Sequence, residues 1–258
     1  MRTVAILQAR AGSSRLPGKV LKPLLGRPML ARQIERVRRC ARLDELVVAT
    51  STHASDDAIE ALCRDEGVAC FRGSLDDVLD RFHAAAVQHR ADRVVRLTGD
   101  CPLADARLID AVVEHLQRGG YDFVSNALEP TFPDGLDAAV FRTQLLEDAW
   151  REATLPSERE HVTLFMRRQA ERYRIGSFKA EVDHSHLRWT VDEPADFEFV
   201  AAVYGRLYPG NPAFGFEDIL KLLEREPALL EVNRGIERNE GLRRSLARDA
   251  AAQERKKP

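Results

Sequence analysis

The stretch ILQARAGSSRLPGK at residues 6–19 begins apolar and turns polar. Its loop sets Arg10, Arg15 and Lys19 around Gly12, Ser13, Ser14 and a Pro17-Gly18 break. Backbone N–H groups freed by such a turn, followed by a helix start, suit phosphate oxygens. Arg10 and Arg15 can each grip two oxygens, whereas Lys19 is a point charge able to follow a leaving pyrophosphate. The loop fits neither G-x-x-x-x-G-K-[ST] nor G-x-G-x-x-G, so a solvated Gly/Pro-rich surface loop stands as the alternative reading. Two carboxylates bear on that choice. Asp100 and Asp192 each stand two residues before a proline, in GDCP and VDEP. A Mg²⁺ ion takes one or two carboxylates and fills its shell with phosphate oxygens and water. Taken singly, each Asp also reads as an ordinary turn residue.

These side chains can act together only if the fold brings them to one edge. Val4-Ala5-Ile6-Leu7 has the unbroken apolar character of a buried parallel strand. Residues 46–50, 68–71 and 93–97 repeat it. Helical periodicity lies between, at 30–41, at 56–66 with Gly67 as C-cap, and from a Ser74 to Asp77 capping box through His89. The alternation predicts an α/β fold: a Rossmann-like, doubly wound, mostly parallel sheet with helices on both faces. Ligands in such sheets sit beyond the carboxyl ends of the strands, which gathers the loops after Leu7, Thr50, Phe71 and Leu97 around one site.

Beyond Gly119-Gly120 the pattern loosens. Strands are predicted at 121–126, 136–141 and 173–178, and helices at 145–154 and 157–170, the latter opened by a Ser157-x-x-Glu160 capping box. A last strand at 187–191 would carry Asp192 to the same edge, before helices at 195–207 and 216–225. The polar end, RDAAAQERKKP, predicts fraying. The expected organisation is one domain over 1–230 with an elaboration at about 121–186 for acceptor and dimer contacts. Residues 231–258 would form a C-terminal helical extension and polar tail.

Composition narrows the class of partner. The 258 residues are 44% hydrophobic and 31% charged, and 39 basic against 41 acidic side chains leave a formal net charge of −2. That balance favours neither nucleic acid nor an anionic membrane. Cys40, Cys63, Cys70 and Cys101 form no C-x-x-C pair and no metal-finger spacing. No stretch approaches the roughly 18 apolar residues of a membrane span, and the N-terminal run lacks the form of a signal peptide. The expectation is a cytoplasmic chain with reduced thiols.

LQARAGSSRLPGK, LTGDCPL and RWTVDEPADFEFV together resemble the cytidylyltransferases that make CMP-activated sugar acids. The branch named for the spore coat polysaccharide biosynthesis protein SpsF is similar also in RGSLDDVLDRF, YDFVSN, FPDGLD, LPSEREHVT and RNEG. The similarity runs in order to about Leu242. It implies a nucleotide-diphospho-sugar transferase-like fold and a Mg²⁺-dependent transfer from CTP, in which a sugar hydroxyl attacks the α-phosphorus and pyrophosphate leaves. It further implies that Leu7, Ala9, Arg10 and Gly12 approach the nucleotide, with Arg15 and Lys19 on its phosphates. Thr50, Gly73 and Thr98 would line the base and ribose pocket, and Asp100 and Asp192 would hold the metal. Arg10, Arg15, Lys19 and Asp100 are the expected catalytic set, and a homodimer is implied by analogy.

The acceptor side draws on Asn126, Asp134, Glu158, Arg159, His161 and Arg188. An acidic sugar needs a cation for its carboxylate, which Arg188 or Arg159 could supply. Glu158 and His161, three apart, would share the inward face of their helix. A lone histidine such as His161 is otherwise a structural residue. Trp189 reads as core and Cys101 as packing. The leading expectation is a cytidylyltransferase acting on a 3-deoxy-ulosonic or nonulosonic acid for cell-surface polysaccharide. A nucleotidyltransferase acting on a sugar 1-phosphate or phosphonate, a glycosyltransferase, and a non-catalytic nucleotide-binding subunit are the alternatives. The triphosphate-sized set of cations in the first loop argues against the glycosyltransferase.

Overall fold

The computed structural model describes residues 1–13, 15–236, 238 and 240–254, with side chains to residue 251. β1 (Thr3–Gln8) is apolar throughout because it is central. Ala5 and Leu7 enter one core and Val4 and Ile6 the other, all fully buried. After the first loop come a short hairpin, β2 (Pro23–Leu24) and β3 (Arg27–Pro28), and α1 (Met29–Val37). β4 (Glu45–Ser51), α2 (Asp57–Asp65), β5 (Ala69–Gly73), α3 (Val78–Gln88), β6 (Arg93–Thr98) and α4 (Ala106–Gly119) follow in alternation. Then come β7 (Phe123–Ser125), β8 (Ala139–Arg142), α5 (Thr143–Glu152), α6 (Pro156–Glu160), α7 (Leu164–Arg167) and β9 (Ile175–Ser177). The chain closes with α8 (Pro194–Leu207), α9 (Phe216–Arg225) and α10 (Glu240–Glu254).

The seven-stranded sheet has the order β5-β4-β1-β6-β8-β7-β9. β5, β4, β1 and β6 are parallel, β8 runs against β6 and β7, and β9 is parallel to β7. α1, α2, α4, α8 and α9 cover one face, and α3, α5 and α7 the other. This is the mostly parallel, doubly covered sheet that the sequence pattern predicts. From β1 the chain steps outward to β4 and β5, then returns to place β6 on the opposite side of β1. The crevice of such a reversal is where open α/β sheets bind ligands. The first loop and Asp100 follow the two strands that flank it. The region at 121–186 extends this same sheet through β7, β8 and β9.

Four expectations need correction. The helix before His89 begins at Val78: Asp77 is the N-cap, taking Asp80 N–H at 2.9 Å, and Ser74 Oγ only accepts from Asp77 N at 3.1 Å in the turn before it. The helix expected at 157–170 is two short ones, α6 and α7, broken at His161 (φ −106°, ψ 52°). Ser157 lies inside α6, behind Pro156 at its first turn, so there is no Ser157–Glu160 capping box. Residues 187–191 do not join the sheet; a single bridge pairs Arg188 with Asp134. The end of the chain is helical through Glu254, because α10 docks on α6, while 255–258 lie outside the described residues. Gly67 (φ +60°) follows α2 as expected, and Trp189 is core, 1% exposed. Among the described residues no helix is long and apolar enough to cross a membrane.

Candidate active site

The first loop is pinned from below. Ala9 N–H donates to Ala49 O at 3.1 Å and Ala11 N–H to Asp56 Oδ1 at 2.8 Å. Burial pulls the Asp56 carboxyl up, but bonds from Ser51 and from the Ala11 amide outweigh it and hold its pKa below the usual range. Gly18 (φ +69°) supplies the left-handed turn that starts a 3₁₀ turn over Lys19–Leu21. Gly99 permits the other close approach. Its N–H meets Gln8 O at 2.7 Å, and a Cβ there would stand 3.0 Å from both Ala9 Cβ and Gln8 O. The loops after β1 and β6 therefore touch, which sets Lys19 beside Asp100.

Lys19 is the centre of the cluster. Its Nζ donates to Val191 O at 2.7 Å, Asp192 Oδ1 at 2.8 Å and Asp100 Oδ2 at 3.2 Å. Burial opposes its charge, but the two carboxylates outweigh burial and its pKa is raised. For Asp100 the burial penalty is likewise overcome, by Lys19 and by a bond from Thr98, and its pKa falls to about 2. Asp192 reaches this point without a strand. Val191 N–H and Thr190 Oγ1 both donate to Asp100 O, at 2.8 and 3.2 Å, so the 190–192 segment is laced to the Asp100 loop.

Arg15 and Arg188 complete the grip on Asp192. Arg15 lies 3.1 Å from Asp192 Oδ2, 3.3 Å from Glu193 Oε1 and 2.9 Å from Glu240 Oε2. Arg188 donates to Asp134 Oδ2 at 3.0 Å, to Asp192 Oδ2 at 3.1 Å and to both oxygens of Asp196 at 2.9 Å. Asp196 in turn takes the Asp192 and Glu193 amides at the start of α8. Arg188 is thus a bracket that positions Asp134 and Asp192, with four of its five N–H donors committed to Asp134, Asp192 and Asp196.

Two adjoining cavities open at this cluster. The first, about 310 Å³, is lined by Ala9, Arg10, Gly12, Arg15, Lys19, Thr98 and Asp100 among the expected residues. Sequence reasoning missed Arg81, Glu240, Arg244 and Arg248, which line it too. Arg81 is fully buried, with Nε and Nη2 unpartnered among the described residues. Burial, with the charge of Arg10 added, lowers its pKa to about 10. Leu7 and Thr50 are buried in strands and line neither cavity. Gly73 acts one step removed: a Cβ there would stand 3.0 Å from Arg81 Cγ, so its bareness leaves room for Arg81.

The second cavity, about 300 Å³, shares Arg15, Thr98, Asp100, Glu240 and Gly241 with the first. Asp134, His161 and Asp192 line it from the expected set, together with Arg96, Asp137 and Arg167, which were not foreseen. Among the described residues the Arg96 and Arg167 side chains make no hydrogen bond or ion pair, and burial lowers both pKa values. Burial and the charge of Asp137 raise Asp134 to about 6 against the pull of Arg238 and Arg188. Burial lowers the His161 pKa, and its Nε2 lies 3.0 Å from Ser245 Oγ.

The remaining candidates lie elsewhere, each for a visible reason. Asn126 is buried and pins its own neighbourhood, donating to Leu136 O and accepting from Ala138 N, both at 2.8 Å. Glu158 pairs with Arg168 at 2.8 Å, and Arg159 with Asp77 and Trp150 O. The break at His161 voids the i, i+3 argument that put Glu158 beside it. Signals for the missed residues existed: Arg96 is a charge inside an apolar strand, Asp137 closes FPDGLD, and Glu240 lies in RNEG.

The Asp100 and Asp192 carboxylates face one point, since a single ammonium bonds both. Two such oxygens beside a basic cavity form a donor set that could hold Mg²⁺. Among the described residues no cluster of three or more His, Cys, Asp or Glu side chains could hold a metal ion.

Comparison with known proteins shows the family. A family model described as "Cytidylyltransferase" matches residues 4–226. The spore coat polysaccharide biosynthesis protein SpsF of Bacillus subtilis is 36% identical over 231 residues, covering 86% of this chain and 94% of SpsF. The 3-deoxy-manno-octulosonate cytidylyltransferase of Zea mays is 37% identical over 137 residues, or 52% of this chain and 45% of that enzyme. The solved structure of a cytidylyltransferase from Leptospira borgpetersenii superposes with a TM-score of 0.87 at 31% identity, covering 92% of this chain and 99% of that one.

Because Lys19 neutralises two carboxylates at once, Lys19→Ala leaves like charges facing each other. We expect about 2–3 kcal/mol of lost stability in urea unfolding, below the range for fully buried pairs because both acids are partly exposed. Adding Asp192→Asn to that variant should restore part of the loss; strict additivity of the two changes would contradict the coupling.

Proposed function

The chain belongs to the cytidylyltransferase family, and from that premise we propose that its acceptor is a sugar acid, joined to CMP for a cell-surface polysaccharide with Mg²⁺ as cofactor. The observation that carries the acceptor class is the pair Arg96 and Arg167, two half-buried cations without partners among the described residues, in the cavity that meets the nucleotide cavity at Asp100. Arg96 Nε is buried and unpartnered among the described residues, a desolvation cost that an incoming carboxylate would offset. Asp134 and Asp137 line the same cavity and offset part of that positive charge. A monoanionic carboxylate suits the balance better than a phosphate dianion. The maize relative is named for a sugar-acid substrate, which supports the same reading.

In this reading Arg10, Arg15 and Lys19 hold the triphosphate, and Arg96 and Arg167 hold the acceptor carboxylate. The acceptor hydroxyl then points at the shared wall. Its oxygen bonds to the α-phosphorus as the bond to the bridging oxygen of pyrophosphate breaks, and the hydroxyl proton passes to a carboxylate. Asp134, with a pKa of about 6, is the carboxyl in the acceptor cavity matched to take that proton near neutral pH. Magnesium, held by Asp100 and Asp192, would polarise the α-phosphate and help lower the pKa of the hydroxyl. The cations of the first loop neutralise the departing pyrophosphate; most of the catalysis is positioning and charge. The reading includes a homodimer built through the central elaboration, which light scattering on the purified chain checks.

Purified protein with Mg²⁺, offered each of the four nucleoside triphosphates against sugar acids and sugar phosphates, should release pyrophosphate with CTP and a sugar acid. Turnover with a sugar phosphate alone would overturn the acceptor class. Activity that survives a chelator would remove the metal. Arg96→Ala should raise KM for the acceptor about tenfold or more while KM for CTP stays within about twofold. The rate should also rise with pH through about 6 as Asp134 loses its proton. Asp134→Asn should remove that limb and slow turnover by roughly 10²–10⁴; an unchanged profile would exclude Asp134 as the base.

A further inference from the structure

The family match ends at residue 226, yet the nucleotide cavity is completed by residues beyond it. Gly241, Arg244 and Arg248 of α10 are spaced three and four apart, so they share one side of the helix, and all three line that cavity. The neighbouring side carries Ser245 and Asp249, which are buried at 2% and 6% exposure against α6. Ser245 Oγ donates to Glu160 Oε2 at 2.7 Å, and Asp249 Oδ1 accepts from Ser157 N–H at 3.2 Å. With the His161 contact to Ser245, three residues of LPSEREHVT, Ser157, Glu160 and His161, serve to dock this helix.

Charge explains why a helix would be held there by polar contacts. Glu240 sits between two cations, its Oε2 2.9 Å from Arg15 Nη1 and its Oε1 bonded to Arg244 Nη2. Arg248 makes no hydrogen bond or ion pair among the described residues. The buried Arg81, which lines the same cavity, has two unpartnered nitrogens. Among the described residues Glu240 is the carboxylate of α10 that lines this cavity, beside Glu160 of α6, and it bonds the residues that a polyphosphate would also bond.

We propose that α10 is part of the nucleotide site: Arg244 and Arg248 bind the β- and γ-phosphates, and Glu240 holds Arg15 and Arg244 in place until the triphosphate replaces it. The proposal rests on the reading of this cavity as a nucleoside triphosphate site. Ser245 and Asp249 are positioning residues that fix the helix. CMP, which lacks the β- and γ-phosphates, has no use for Arg244 and Arg248.

Calorimetric titration of the full chain with CTP and with CMP, each with Mg²⁺ and no acceptor, tests this. Arg244→Ala with Arg248→Ala should weaken CTP about tenfold or more and leave CMP within about twofold. The corresponding double Lys variant should recover most of the CTP affinity. Hydrogen exchange in the unaltered chain gives a reading that needs no variant: CTP should protect the α10 amides and CMP should not. Equal CTP affinity with and without the two arginines, or an equal loss for CTP and CMP, would overturn the role of α10. An unaltered chain that binds no CTP would instead overturn the nucleotide reading on which the proposal stands. A chain that binds CTP through α10 but transfers CMP to no sugar acid would bear out this proposal and sink only the acceptor.

Discussion

The ammonium of Lys19 joins three parts of the chain that are far apart in sequence: its own loop, Asp100 and the Val191-Asp192 turn. At about 3 Å and an effective dielectric of 20, each pair attracts by roughly 5 kcal/mol in gross Coulomb terms. Desolvation takes back much of that, so the cluster is a poor source of net stability. What it provides is fixed geometry. Both carboxylates face one point, and the cations around them are held in place. With Arg15 and Arg188 also on Asp192, carboxylates and cations neutralise one another within the cluster.

That cluster depends on topology before it depends on side chains. β1 and β6 are adjacent, parallel and in register from Thr3↔Arg93 to Gln8↔Thr98. Their following loops leave the sheet side by side, and Gly99 removes the one Cβ that would hold them apart. The cores on the two faces are filled by alternating residues of the same strands, so a slip of one position would turn Ala5 and Leu7 into the wrong core. Register in the buried sheet and placement of the phosphate loop are therefore one constraint.

The sequence made the parallel half legible because each strand there is a short apolar run, buried on both faces, between helices with clear periodicity. It also made the first loop and Asp100 legible, because their spacing follows directly from the ends of those strands. Asp192 was placed at the right edge for a partly wrong reason. Residues 187–191 have strand-like composition, yet they lace to the Asp100 loop and pair with Asp134 instead of joining the sheet. Arg188 and Arg159 drew attention as cations for an acceptor, but charge alone does not reveal a partner. Arg188 faces Asp134, Asp192 and Asp196, and Arg159 faces Asp77. Arg96 carried the stronger signal, a charge midway along an apolar strand, where burial without a partner has to be explained by function.

The antiparallel strand explains why a second cavity exists beside the first. In a purely parallel sheet every strand brings its carboxyl end to the binding edge. β8 is reversed, pairing Ala139 with Arg96 and Arg142 with Arg93, so it brings its beginning there. The segment leading into β8 carries Asp134 and Asp137, and both reach the cavity that Arg96 enters from the neighbouring strand. Asn126, at the carboxyl end of β7, bonds Leu136 O and Ala138 N and so fixes that segment against the sheet. One change of strand direction thus sets carboxylates opposite the half-buried arginines. This mixed charge, next to the more basic first cavity and sharing Asp100 with it, distinguishes the two cavities chemically.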